Sequence, residues 1–129
     1  MCERGDIALG VLASVIGQRR QENLLLIDAG ALALSKDRST AELAADCGFG
    51  LVCDAVTGRP HGGLKVASVH QEHGIIASDA PIPFESFPVG ARVRVLPNHA
   101  CMTGAAHDAY HVIDGGTEVI ARWPRCNGW

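Results

Sequence analysis

Short alternating runs of apolar and polar residues dominate this chain, separated by glycine- and proline-rich breaks. From Asp6 to Gln18 the odd positions Ile7, Leu9, Val11, Ala13 and Val15 are apolar. Gly10 and three β-branched residues between Val11 and Ile16 disfavour a helix, so the pattern predicts a strand. After the polar turn GQRRQEN, the run LLLI and the period-two ALALS predict a second strand, broken at Asp28-Ala29-Gly30. Ser39 followed by Glu42 and an apolar Leu43 resembles a capping box and predicts a helix of at most two turns. Further strands are predicted over residues 48–56, 64–70, 73–78 and 91–96, with TGRPHGG as a turn between the first two. Arg92 and Arg94 alternate with Val93 and Val95 as in a half-buried strand. Three prolines between Pro81 and Pro88 predict irregular or extended surface chain. Tyr110 to Asp114 and Thr117 to Trp123 flank Gly115-Gly116 and predict a hairpin. Seven or eight short strands with at most one or two short helices imply a mainly β fold, a small barrel or sandwich.

Composition narrows the function classes. The 129 residues are enough for one domain with one core, and 15 glycines with 6 prolines favour turns over long helices. The net charge is −3 with scattered Lys and Arg, so nothing tracks a phosphate backbone and nucleic acid is not an expected partner. Five cysteines form no CxxC pair, which fits a reduced, cytoplasmic setting. The apolar stretch IALGVLASVI lacks a positive leader, and no apolar run reaches the ~18 residues that span a bilayer. An apolar segment beginning only six residues into the chain looks like a cut inside a longer protein.

Chemistry concentrates between residues 61 and 111, which hold all six histidines. In RVRVLPNHACMT, His99 and Cys101 offer an imidazole and a thiol, donors that suit Zn(II). Residues i and i+2 share a face only if the backbone stays extended, and Pro97 holds Leu96 in the β region. On spacing alone, Cys101 reads as a small core residue rather than a ligand. In VHQEHG, Glu72 and His73 precede a glycine that permits a sharp turn, and a polar loop is the simpler reading. HDAYHVID offers His107, Asp108, Tyr110 and His111 as exposed polar residues or acid-base groups. Asp28 interrupts two apolar runs, so it either caps a turn or serves a site. The only lysines, Lys36 and Lys65, lie in no apolar run that would favour Schiff-base chemistry, and no phosphate loop, nucleophile elbow or HExxH is present.

Taken together, LLLIDAGALALSKD, VHQEHG, VGARVRVLPNHACMT and HDAYHVIDGGTEVIARWPRCNGW resemble the C-terminal domain of the D-threonine aldolase and D-serine dehydratase family. These are fold-type III pyridoxal phosphate enzymes, similar in architecture to alanine racemase. The resemblance implies that residues 1–129 are a single C-terminal β-domain, and that the N-terminal (β/α)8 barrel, which holds pyridoxal phosphate through a lysine, is absent from this chain. It implies a divalent metal, Zn or Mn, held by His99 and Cys101, with Glu72 and His73 orienting ligands around the same mouth, and Asp28 with ALALS helping to meet the barrel. It further implies retro-aldol cleavage of a D-β-hydroxy amino acid as in D-threonine aldolase, or β-elimination as in D-serine dehydratase. A His and Cys pair looks more like the zinc site of eukaryotic-type D-serine dehydratases, since D-threonine aldolases can carry an acidic residue at the second position. The metal would act on the substrate's hydroxyl as a Lewis acid while the cofactor serves as the electron sink. The expected partners are the barrel domain, the substrate and a second copy of the chain, and the chain alone is expected to bind no pyridoxal phosphate and to show no lyase activity. A stand-alone β-domain for binding or dimer contacts is the reading from another class.

Overall fold

The computed structural model describes residues 4–126, so Cys2, Glu3 and the closing Asn127-Gly128-Trp129 of the sequence reading lie outside it. Along the described chain come β1 (Val11–Arg19), β2 (Leu24–Ile27), α1 (Ala31–Leu34), β3 (Gly50–Asp54), β4 (Pro60–Val69), β5 (Gly74–Ala77), β6 (Arg92–Pro97), α2 (Ala100–Ala105), β7 (Ala109–Val112) and β8 (Ala121–Pro124). The first six strands close into a barrel in the order β1-β2-β5-β4-β3-β6, every neighbouring pair antiparallel. β7 and β8 form a separate two-stranded ribbon. The mainly β expectation holds, and the barrel alternative is the one realised.

Period-two patterning places the core. Leu25 sits opposite Ile76, Ile76 opposite Val66, and Val52 opposite Val95, and all five are completely buried. Each such side chain contributes about 1.5–3 kcal/mol by leaving water. On β6, Val93 and Val95 point inward while Arg92 is exposed and Arg94 half-buried, as the alternation predicts. On β1 the odd residues Ala13 and Val15 face the core and the even Leu12 and Ile16 face out, with a register shift between Val15 and Gly17.

Several sequence expectations are corrected. ALALS does not continue a strand: Ala31–Leu34 is a helical turn, because Ala and Leu favour helix and its first amides find carbonyl partners on the β4–β5 turn. Residues 39–45 form turns and bends and no helix; the Thr40 hydroxyl accepts from Cys47 N (3.1 Å) and donates to Asp46 (3.1 Å), side-chain bonds that hold a loop in place of a helix start at Ser39. Pro60 to Gly63 belong to β4 rather than to the preceding turn, at a strand start that needs no proline N–H. The proline-rich segment is not merely surface chain, since it buries Ile82 and Phe87 in the core. The hairpin exists, but its second strand begins at Ala121, not Thr117.

Because the strands alternate in direction, the barrel has two distinct poles. At the near pole β2, β4 and β6 end while β1, β3 and β5 begin, and both helices attach there. The far pole carries residues 20–23, 55–59 and 78–91.

Candidate functional site

The short motifs singled out in the sequence converge on α1 at the near pole. Gly30 lies against the tip of the β4–β5 turn so closely that a Cβ there would stand 2.5 Å from the His70 carbonyl oxygen and from the His73 amide nitrogen. A Cβ on Gly74 would stand 2.5 Å from the Ala29 carbonyl oxygen. The glycines of DAG and EHG are therefore places where one backbone rests on another. This contact supplies partners for the first amides of α1, which have none within the helix: Ala31 N donates to His70 O (2.7 Å) and Leu32 N to Gln71 O (3.2 Å).

The other end of α1 is held by α2. The buried Thr103 hydroxyl donates to Leu34 O (3.0 Å), and His107 Nε2 donates to Ala33 O (3.1 Å). Tyr110 of the ribbon lies against α2 at Gly104, where a Cβ would come within 2.8 Å of its hydroxyl. A four-residue helix could not persist alone, and here neighbours satisfy its free groups at both ends.

Beyond α1 the chain turns at Ser35, in the left-handed region (φ 70°), and Asp37 N donates to Ser35 Oγ (3.2 Å). The Asp37 carboxylate then meets Nδ1 of His99. His99 is the extended residue that starts α2 (φ −131°, ψ 98°), and Thr103 N donates to its carbonyl (3.1 Å). The preceding Asn98 locks this entry: its side-chain amide donates to Gly48 O (2.6 Å) and Thr40 Oγ1 (2.7 Å), and its backbone N to Phe49 O (3.2 Å). Its Oδ1 is buried and has no hydrogen-bond partner among the described residues.

Cys101 stands in the first turn of α2 with its thiol free and exposed. Two readings of the pair change as a result. The residue is not part of the core, and the backbone is extended only as far as His99, because Pro97 constrains Leu96 and nothing beyond it. When the imidazole is neutral and Nδ1–H donates to Asp37, the lone pair lies on Nε2, for which no hydrogen bond is found among the described residues. An imidazole nitrogen and a thiolate suit Zn(II). Among the described residues no group of three or more His, Cys, Asp and Glu side chains could hold a metal, so this pair would need other ligands to complete a shell.

Glu72 and His73 lie on the β4–β5 turn at the same pole, yet on the opposite side of α1 from α2. Glu72 is exposed and accepts from Gln71 Nε2 (3.3 Å), while the His73 ring stacks on His70 (centroids 4.4 Å apart). Asp28 caps: its Oδ1 accepts from Ser14 N (2.7 Å), continuing the β1–β2 pairing. His61 packs edge-on against Phe87 at the far pole, and His111 is exposed on the ribbon, so the clustering of histidines in sequence is only partly a clustering in space. Sequence reasoning quoted Asp37 and Asn98 within LLLIDAGALALSKD and VGARVRVLPNHACMT but gave neither a role, since the contact of Asp37 with His99 spans 62 positions.

Comparison with known proteins identifies the fold's relatives. A protein-family model described as "Putative serine dehydratase domain" matches residues 8–113. The chain belongs to this family. The chain is 43% identical, over its whole length, to D-threo-3-hydroxyaspartate dehydratase of Delftia sp. (strain HT23), of which it spans 34%. The solved structure of that enzyme matches 99% of the chain with a TM-score of 0.87. Its structures include a histidine-to-alanine mutant and a cysteine-to-alanine mutant, the latter in the metal-free form. The uncharacterized protein Rv1414 of Mycobacterium tuberculosis (strain ATCC 25618 / H37Rv) is 34% identical over 95% of the chain, which covers 84% of that protein. D-threonine aldolase from Filomicrobium marinum shares the fold, with a TM-score of 0.62 at 22% identity over 89% of the chain. The chain thus spans about a third of the Delftia enzyme and most of the mycobacterial protein.

Proposed function

We propose that the chain is the C-terminal, metal-holding β-domain of a pyridoxal phosphate-dependent D-3-hydroxy amino acid dehydratase, with His99 and Cys101 as its metal ligands. The observation that carries the reading is the near-pole arrangement of His99, fixed through Nδ1 with Nε2 unclaimed, two positions before an exposed thiol. The mutated histidine and cysteine of the Delftia dehydratase also stand two positions apart. Dehydration is favoured over aldol cleavage, because the 43% identity over the whole of this chain is to a third of a dehydratase, whereas the aldolase shares only the fold. A divalent metal held by the pair would supply a Lewis acid for the substrate's 3-hydroxyl. α1 and α2 hold the two donors at the mouth of the near pole, and exposed Leu32 and Met102 on these helices give that face the apolar surface a catalytic barrel domain would cover. The cofactor would belong to that other domain.

A chimera tests the reading: this chain replaces the matching third of the Delftia enzyme, and elimination from D-threo-3-hydroxyaspartate is measured. Activity is expected, with large losses on His99→Ala or Cys101→Ala. A folded chimera that binds cofactor and metal but eliminates nothing would overturn it. The chain alone should show neither turnover nor a cofactor absorbance band after dialysis.

A second reading has its own support. The chain covers most of a short mycobacterial relative, so a domain of this size also fits a free-standing role in binding or dimerisation. Equal, negligible zinc in the wild type and both variants would favour it.

A further inference from the structure

We infer that Asp37 is the positioning residue of the metal site, and that its carboxylate sets the tautomer and ring orientation of His99 so that Nε2 faces the metal. The inference rests on the proposed role of His99 and Cys101, and it concerns a residue to which the sequence reading assigned no role.

Three observations carry it. First, the contact is specific in kind: a carboxylate oxygen meets Nδ1, the nitrogen nearer the backbone, so the more distal Nε2 is left for a ligand. A carboxylate on the second nitrogen raises the basicity of a ligating imidazole and holds its plane. Second, Asp37 is itself held in place. It lies two positions after Ser35 (φ 70°), donates its own N–H to Ser35 Oγ, and precedes Arg38, whose guanidinium pairs with Asp46 and lies over the Phe49 ring (5.5 Å). Third, the other side of the pair is equally fixed, since Asn98 ties the start of α2 to Gly48 and Thr40 of the same loop. Both partners are part-exposed (side chains 40% and 35%), so the pair adds little to stability, and its geometry is better explained by what it does to the ring.

The test uses the purified chain, Asp37→Asn and Asp37→Ala, with two readouts. Imidazole 15N shifts, measured without metal where the ring is neutral, report the tautomer. Cobalt(II) titration, followed through the thiolate-to-metal band, reports affinity. The wild type should hold His99 as the Nδ1–H tautomer, and Asp37→Ala should shift the population towards Nε2–H. Cobalt affinity should fall about 10- to 100-fold in Asp37→Ala, with less loss in Asp37→Asn, which keeps an acceptor oxygen, and with the thiolate band retained. A wild-type Nε2–H tautomer, or equal cobalt affinity in all three proteins, would overturn the positioning role while leaving the ligand pair standing. Cobalt binding that survives His99→Ala unchanged, or is absent from the wild type, would instead sink the ligand assignment and this inference with it.

Discussion

At the far pole the barrel is closed by side chains. Ile82 and Phe87 enter the core, and the amides of Gln18 and Asn23 bind the segment that carries them: Gln18 Nε2 donates to Phe84 O (2.9 Å) and Phe87 O (2.8 Å), Asn23 Nδ2 donates to Ala80 O (3.0 Å), and Ile82 N donates to Asn23 Oδ1 (2.8 Å). At the near pole α1 rests backbone on backbone around Gly30 and Gly74, and the side chains left wholly or partly at the surface include His99, the Cys101 thiol, Glu72 and the apolar Leu32 and Met102. One end is therefore closed by side chains and their amides, while the other adds glycine backbone contacts to the buried Leu34 and Thr103 and keeps its chemically capable groups outside. Rigid backbone contacts are a suitable mount for a site, because they have no rotamers to relax.

That division can be broken from either end. Phe87→Ala should cost about 3–5 kcal/mol in urea unfolding, as truncating a buried aromatic does, yet leave cobalt affinity within about twofold when measured well below the transition. An equal loss of affinity would mean the poles are not independent. Gly74→Ala should cost about 3 kcal/mol, since the new Cβ meets the Ala29 carbonyl and the backbone must move. Unlike Phe87→Ala, it should also weaken cobalt binding, because α1 is displaced along with Asp37 behind it. A destabilisation under 1 kcal/mol would show that the pole adapts more readily than its geometry suggests.

How much of this was readable from the sequence follows from the range of each interaction. Strand period is local, so all eight described strands were found, β4 and β8 with displaced starts, as was the barrel-or-sandwich class. ALALS misled because alanine and leucine alternate as readily in a strand as they sit in a helix; the choice was made by carbonyls of His70 and Gln71, some forty positions away. The candidate ligands His99 and Cys101 were visible as residue types, but their geometry depends on Asp37 and on Asn98, whose partners lie 50 and 58 positions back. A proline-rich stretch is expected at the surface, and only the buried Ile82 and Phe87 show that one side of it is core.

A smaller effect sharpens the comparison at the near pole. Asn98→Ala removes the donor to Gly48 O and should cost about 1–3 kcal/mol, the range for a buried acceptor left unpaired. It should also raise the cobalt dissociation constant several-fold by loosening the start of α2. Wild-type stability with unchanged cobalt binding would mean that water replaces the amide without consequence.

The smallest effect tests whether the loop opposite His99 is held electrostatically. Asp46 accepts from Gly48 N (2.9 Å) and Thr40 Oγ1 (3.1 Å) and pairs with Arg38, while Lys65 Nζ donates to its carbonyl (3.2 Å). The Gly48 amide, helped by Arg38 and Thr40, holds the Asp46 carboxyl below its ordinary value against the opposing effect of burial. A lowered value in the folded state means that the stabilisation is fully present above the ordinary carboxylate range and is lost as pH falls through the lowered value. The Gly48 amide signal should therefore titrate with a midpoint below that range, and Asp46→Asn should abolish the titration and speed exchange of the Gly48 and Cys47 amides at neutral pH. A midpoint at or above the ordinary value would show that Asp46 does not pin this loop, and the rigidity assigned to the near pole would then rest on the glycine contacts and Asn98 alone.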